Sequence, residues 1–130
     1  MYALNAKTGA KLWSYTTGGW VDSSPAVANG VVYVGSWDDN LYALNAKTGA
    51  KLWSYTTGNV VFSSPAVANG VAYVGSYDDN VYALNAKTIK LWSYTTGSFL
   101  ESSPVVANGV VYFSAQDYNV YAFGLKKSRQ

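Results

Sequence analysis

Residues 23–58 read SSPAVANGVVYVGSWDDNLYALNAKTGAKLWSYTTG, and most of this stretch occurs more than once in the chain. Its last 17 residues are identical to residues 2–18. Its first eight recur unchanged at residues 63–70, and with one change, Val105, at residues 102–109. The period is therefore about 40 residues, a length typical of propeller and solenoid repeats.

Each repeat contains four short runs of β-forming residues separated by turn signals. In the quoted stretch we label these runs strand A (Ser24–Ala28), strand B (Val31–Ser36), strand C (Leu41–Asn45) and strand D (Lys51–Thr56). Asn29-Gly30 joins A to B and is the dipeptide preferred in two-residue hairpin turns, where both residues need positive φ. Four antiparallel strands in chain order predict an all-β protein built of propeller blades.

The residue types indicate where each strand lies in its blade. Strands B and C are nearly continuous apolar runs, as expected when neighbouring blades cover both faces. Pro25, Pro65 and Pro104 all fall in strand A, and proline is tolerated only at a sheet edge, so strand A is predicted to line the central channel. Strand D, which contains lysine, serine and threonine in every copy, is predicted to form the outer edge.

Composition excludes several classes of function. The chain is 49% apolar and 16% aromatic, enough for an ordered core, and its net charge of +2 does not favour nucleic-acid binding. It has no Cys and no His, which removes disulfides, thiol chemistry, Ser-His-Asp catalysis and most zinc sites. Met1 to Ala10 lack an export-signal pattern and no apolar run reaches membrane-spanning length. We expect no catalytic residue, no cofactor, no metal site and no membrane insertion.

The turn between strands C and D identifies a family. Ala43, Asn45, Gly49 and Trp53 form the pattern A-x-N-x-x-x-G-x-x-x-W, which recurs from Ala3 to Trp13. It resembles the tryptophan-docking motif of PQQ-like (quinoprotein-type) β-propellers, with Asn in place of the usual Asp. The resemblance, which includes the SSPAVANGVVYVGS element, covers nearly the whole chain.

The resemblance implies structural roles for the tryptophan and glycine positions of that motif. Trp13, Trp53 and Trp92 are expected to dock against the neighbouring blade, over turns that contain Gly9 and Gly49. The third copy, from Lys87 to Trp92, is one residue shorter and lacks the glycine. Docking beside that blade is expected to be altered.

Members of the family that resemble this chain differ in activity. Quinoprotein dehydrogenases are longer, eight-bladed, and have calcium-binding acids and usually a vicinal cysteine pair. The non-catalytic relatives, which look like outer-membrane assembly scaffolds and extracellular sensor domains, are the closer comparison. The resemblance therefore favours a non-catalytic scaffold for protein–protein interaction outside the cytoplasm. Carbohydrate or small-ligand binding is the alternative, and a quinone-dependent dehydrogenase fragment is the third interpretation.

The register of the repeats divides the chain into blades and part-blades. These are residues 1–18 (strands C and D), 19–58 and 59–97 (complete blades), 98–123 (strands A, B and C) and 124–130 (a basic tail). The two part-blades are complementary, and one strand C is redundant. Propellers have about four to eight blades, so three blade equivalents per chain predict a homodimer with six blades. A trimer with nine blades is the alternative, as is an open arc that is a fragment of a longer product.

The origin of the repeats is open. The near-identical copies favour recent amplification or consensus design, whereas the shortened third copy and the altered Phe113–Gln116 favour a natural origin.

The copies differ most in the connections from strand D to strand A (DA) and from B to C (BC), which share one face of a blade because neighbouring strands run antiparallel. The candidate contact residues on this face are Trp20, Trp37, Phe62, Tyr77, Phe99 and Tyr118. The alternative is that Trp20 and Phe62 cover the rim, while Val21, Val61 and Leu100 pack between blades.

Two groups of charged residues have structural explanations. The BC-turn aspartates at positions 38, 39, 78, 79 and 117 suggest calcium, but Asp in tight turns usually accepts hydrogen bonds from its own backbone. Lys7, Lys47 and Lys87 repeat in the CD turns on the opposite face, near the basic tail. Solvation explains these lysines, and weak anion binding is the alternative.

Overall fold

The computed structural model describes residues 1–124, which form thirteen β-strands in four separate antiparallel sheets. Within these residues, no helix is long and apolar enough to cross a membrane. Of the predicted basic tail, residues 124–130, only Gly124 belongs to the described part of the chain, as the last residue of the final strand.

Each sheet is a meander in chain order. The first contains β1 (Tyr2–Leu4) and β2 (Lys11–Ser14). The second contains β3 (Ala26–Ala28), β4 (Val31–Gly35), β5 (Asn40–Asn45) and β6 (Lys51–Thr56). The third contains β7 (Ala66–Ala68), β8 (Val71–Gly75), β9 (Asn80–Asn85) and β10 (Ile89–Thr95). The fourth contains β11 (Val105–Ala107), β12 (Val110–Ser114) and β13 (Val120–Gly124).

The two four-stranded sheets confirm the predicted propeller blade, and the chain forms about three blades of such a ring. Strand A is shorter than predicted: it begins at Ala26 instead of Ser24, because Pro25 has no N–H to donate to the sheet. The Ser24 N–H instead donates to Ser64 Oγ of the next blade at 2.7 Å. Strands A of successive blades therefore lie beside one another at the inner edge.

The predicted hairpin turns are confirmed by the backbone. Asn29 and Gly30 have φ of 50° and 77°, the two positive values that this turn requires. The same dipeptide has the same conformation in the next two blades, at Asn69 and Asn108.

The core lies between the sheets. In the second and third sheets, strands B and C contribute both of their faces to it, which explains their continuous apolar sequences. Between the second and third sheets, Tyr33 and Leu41 pack against Val74 and Leu84. Ser23 and Ser63 are buried polar residues, and the hydroxyl of each accepts the N–H of a glycine that ends strand B.

Candidate functional site

The DA connections and BC turns lie on one face of the arc, which we call the variable-loop face. Three equivalent backbone hydrogen bonds join them. The Trp37 N–H donates to the Trp20 carbonyl at 2.8 Å, and the Tyr77 N–H donates to the Val60 carbonyl at 2.9 Å. The third, from Gln116 to Phe99, is 3.3 Å long. The backbone thus holds the two variable segments of each blade side by side.

Five of the six candidate side chains form a continuous line across this face, which we call the aromatic row: Trp20, Trp37, Phe62, Tyr77 and Phe99. The distances between successive ring centroids are 5.1, 6.4, 5.9 and 4.8 Å. These spacings are those of ordinary aromatic pairs, so the rings support one another. The sixth candidate, Tyr118, lies apart in the BC turn of the fourth sheet, with φ of 69°.

The row is partly exposed. Trp20, Trp37 and Phe99 are 71%, 37% and 39% exposed, whereas Phe62 and Tyr77 are half-buried. Beneath them, Val61 and Leu100 are fully buried between blades, as the alternative interpretation of the variable segments expected. The face therefore combines a structural layer with an exposed aromatic layer.

A polar cluster lies beside the middle of the row. The Tyr77 hydroxyl donates to Glu101 Oε1 at 2.6 Å, and Gln116 Nε2 donates to Glu101 Oε2 at 3.0 Å. Burial, the bond to Glu101 and the negative charges of Glu101 and Asp22 raise the pKa of Tyr77 to about 12. Asp22 and Glu101 occupy the same position of the repeat in different copies. The sequence alone did not predict that both charges act on the Tyr77 hydroxyl.

The BC-turn aspartates connect neighbouring sheets. Asp38 Oδ2 accepts the N–H of Gly18, from the preceding sheet, at 2.9 Å and also accepts the hydroxyl of Tyr42. Its Oδ1 accepts the Asn40 N–H at 3.2 Å, the local bond predicted for such a turn. Burial acts to raise the pKa of Asp38, but the hydrogen bonds from Tyr42, Gly18 and Asn40 outweigh it and hold this pKa below its ordinary value.

The same arrangement repeats at Asp78 and Asp117, which accept the N–H groups of Gly58 and Gly97. Among residues 1–124, no three or more Asp and Glu side chains are grouped so that they could hold a metal ion. These carboxylates therefore act as links between successive sheets.

The first docking tryptophan is closely packed. The Trp13 indole N–H donates to the Ala46 carbonyl at 2.8 Å, and the ring lies against Gly49, whose φ is 77°. In the third copy, Ile89 occupies the place of Gly49 with φ of 66°. Trp53, the equivalent of Trp13 in the next blade, is half-buried, whereas Trp13 is only 8% exposed.

The other two docking positions have different surroundings. Trp92 packs against the ring of Phe123 with centroids 5.4 Å apart. Gly9 has φ of 76°, and a β-carbon added to it would meet no atom within 4 Å.

Comparison with known proteins places this geometry among propellers. A family model described as outer membrane protein assembly factor BamB matches residues 60–130. The structure of BamB from Moraxella catarrhalis superposes with a TM-score of 0.83 at 22% identity, over 95% of this chain and 39% of that chain. No curated protein matches the chain by sequence.

Two solved enzymes are also similar. Quinohemoprotein alcohol dehydrogenase ADHIIG from Pseudomonas putida HK5 has a TM-score of 0.71 at 26% identity, over 85% of this chain and 20% of that chain. Quinohemoprotein alcohol dehydrogenase from Comamonas testosteroni has 0.68 at 24% identity, over 82% and 19%. The chain thus spans well under half the length of each of these structures.

Proposed function

Because the chain belongs to the PQQ-like β-propeller family whose model is described as outer membrane protein assembly factor BamB, we propose that it is a non-catalytic, self-assembling scaffold for protein–protein interaction. A BamB-like propeller suggests such a scaffold in general. In more detail, two copies would close one ring, the variable-loop face would contact the partner, and the protein would act outside the cytoplasm.

One observation carries the self-assembly proposal: equivalent repeat positions are buried inside the arc and exposed at its two terminal sheets. Val120 is 74% exposed, while Leu41, its equivalent in the second sheet, is fully buried. Leu4 is 56% exposed, while its equivalent Leu44 is fully buried. Exposed apolar faces of this kind are typical of interaction surfaces. In the inner sheets, the equivalent residues are covered by a neighbouring blade.

The alternation of side chains between the two faces of a strand shows how β13 could complete the ring. Met1, just before β1, and Ala3 of β1 pack against the second sheet, in the positions that Val120 and Ala122 of β13 would occupy. We propose that β13 of one copy replaces β1 on β2 of another copy. In the complete second sheet Tyr42 pairs with Ser54, so Tyr121 would pair with Ser14 of the second copy.

The BC turn of the fourth sheet fits the same exchange. The Thr57 N–H donates to the Asp39 carbonyl at 2.8 Å, which ties the end of strand D to a BC turn. Thr17 is the equivalent of Thr57, and it lines an open cleft of about 240 Å³ at the first sheet. Tyr118 occupies the place of Asp39 and is fully exposed. Its carbonyl would accept the Thr17 N–H of the second copy.

The exchange completes one blade from two chains. Residues 98–123 of one copy and residues 1–18 of the other would supply strands A, B, C and D. Each copy then contributes three blades, so two copies give six, within the range of about four to eight that propellers show. Three copies would give nine blades, outside that range.

Two other functions use the same face or fold. The Tyr77–Glu101–Gln116 cluster offers polar groups beside aromatic rings, a combination suited to a carbohydrate or another small ligand, which makes glycan binding the second candidate. A quinone-dependent dehydrogenase fragment is the third. This third interpretation has less support, because among residues 1–124 no three or more acidic side chains are grouped so that they could hold a metal ion.

A cross-linking experiment tests the exchange directly, since the chain has no cysteine of its own. Thr16 and Asn119 are exposed and would face each other across the proposed pairing, as Thr56 and Asn40 do inside the second sheet. The double variant Thr16→Cys with Asn119→Cys should form disulfide-linked dimers under mild oxidation, whereas each single variant, the matched control, should not form them to the same extent. A double variant that stays monomeric on a non-reducing gel would exclude this strand exchange.

A further inference from the structure

The charged residues are separated between the two ends of the blades. All seven acidic residues lie in DA connections or BC turns, at the variable-loop face: Asp22, Asp38, Asp39, Asp78, Asp79, Glu101 and Asp117. The six described lysines lie in CD turns or at the start of strand D, at the other end: Lys7, Lys11, Lys47, Lys51, Lys87 and Lys90. Lys126, Lys127 and Arg129 lie outside the described residues.

This separation gives the arc two faces of opposite charge, although its net charge is only +2. The negative potential is concentrated where the aromatic rings are exposed. Such a field attracts cationic partners and repels anionic ones, with an effect that falls off over a Debye length of about 10 Å at 0.1 M salt.

One carboxylate is hydrogen-bonded to the row, and the charge of a second acts on the same tyrosine. Glu101 accepts the Tyr77 hydroxyl at 2.6 Å and remains partly accessible. Asp22 is exposed, and its negative charge helps to raise the pKa of the same hydroxyl. The remaining five acidic residues belong to the BC turns, and three of them are already engaged by glycine N–H groups. Asp22 and Glu101 are the two acids of the DA connections, the segments that also supply Trp20, Phe62 and Phe99 to the row.

We propose that the aromatic row binds a segment of a partner protein that is rich in lysine and arginine. Exposed Trp and Phe rings attract ammonium and guanidinium groups within about 6 Å, and carboxylates beside the rings stabilise the same cations. An acidic segment would be repelled by the same field. A neutral glycan would use the rings but would leave the carboxylates without a charged partner. The proposal rests on the scaffold function and names the chemistry of the partner.

The first test compares two synthetic peptides, one of alternating Lys and Gly and one of alternating Glu and Gly, by calorimetric titration into the assembled protein. The Lys peptide should bind, and its affinity should fall severalfold between about 0.05 and 0.15 M salt. The Glu peptide should not bind. Equal binding of both peptides, or no binding of the Lys peptide at either salt concentration, would overturn the proposal.

Matched variants locate the site. Asp22→Asn combined with Glu101→Gln preserves shape and should weaken binding of the Lys peptide about tenfold. Trp37→Ala should weaken it about fivefold. Lys47→Gln combined with Lys87→Gln, which removes two charges from the opposite face, should leave it unchanged. If the lysine variant weakens binding as much as the acidic variant, the peptide is not on the variable-loop face.

A second copy of this chain is the competing occupant, since its lysine-bearing face has the complementary charge. That case would appear as a mass that rises beyond the dimer at low salt without any peptide, and it would overturn the assignment to a separate partner. Solution mass and the Thr16–Asn119 cross-link report on self-assembly without any peptide. Failure of the scaffold proposal and failure of the basic-partner proposal are therefore distinguishable.

Discussion

The indole of Trp13 lies so close to Gly49 that a β-carbon added to this glycine would be 2.6 Å from Cε3 of the ring. The same turn supplies the Ala46 carbonyl to the indole N–H at 2.8 Å. One aromatic side chain thus contacts the turn of the next sheet with its face and hydrogen-bonds to it with its edge. Gly49 meets two requirements here, positive φ and the absence of a side chain.

Substituting Gly49 separates these two requirements. Gly49→Ala should destabilise the protein by about 2–4 kcal/mol, because it adds a clash with Trp13 to the backbone strain. Gly30→Ala is the matched control, since Gly30 has the same φ of 77° but no atom would lie within 4 Å of its β-carbon. It should cost only about 1 kcal/mol. Urea unfolding compares the two, and equal losses would mean that the indole contact contributes nothing.

The shortened third copy is a site of backbone strain. Ile89 has φ of 66°, a conformation in which a β-branched residue is destabilised by about 1–2 kcal/mol. Ile89→Gly should therefore raise the free energy of unfolding by about 1 kcal/mol, and Ile89→Ala should raise it less. Thermal unfolding of both variants checks this order. Destabilisation by Ile89→Gly would show that the isoleucine side chain contributes more through packing than its backbone loses.

Alkaline pH should reveal the link between Tyr42 and Asp38. Burial, the hydrogen bond to Asp38 and the charge of Asp38 raise the pKa of Tyr42 from 10.0 to about 12. A raised pKa in the folded state stabilises the protein fully below pH 10, and this contribution is lost as the pH rises from 10 towards about 12. Tyr42→Phe should lose less stability than the unmodified protein over this interval. Parallel curves of unfolding free energy against pH would contradict the assigned cause.

Removing two rings of the aromatic row should separate binding from folding. Trp37→Ala with Tyr77→Ala should abolish binding of the Lys–Gly peptide, because it removes neighbouring anchors and the hydroxyl bound to Glu101. The circular-dichroism spectrum and the solution mass should be unchanged. Tyr77→Phe, the matched control, keeps the ring and should retain most of the binding. Loss of folding in the double alanine variant would instead show that these rings belong to the core.

Local sequence signals predicted the fold because they act over a few residues. Asn29-Gly30 requires its turn conformation, and the proline directly before strand A keeps that strand at a sheet edge. The continuous apolar sequence of strands B and C likewise predicts two covered faces, as Val34 and Leu41 show by their complete burial. These features do not depend on how the blades stack.

Contacts between blades could not be predicted from short local sequence signals. The bond from Gly18 to Asp38 joins residues 20 apart, and the bond from Tyr77 to Glu101 joins residues 24 apart. Both depend on the angle and spacing of adjacent sheets, which no short segment encodes. The local bond from Asn40 to Asp38 was predicted, but the link of Asp38 to the preceding sheet was found only in the structure.

The absolute mass in solution distinguishes a closed two-chain ring from an open arc, and light scattering on a size-exclusion peak across a dilution series measures it. We expect a stable mass of twice the 14.0 kDa chain, about 28 kDa, because β13 and β2 of two copies complete each other's blades. A mass that remains 14.0 kDa at all concentrations, or a broad distribution of aggregates, would contradict the closed six-bladed ring.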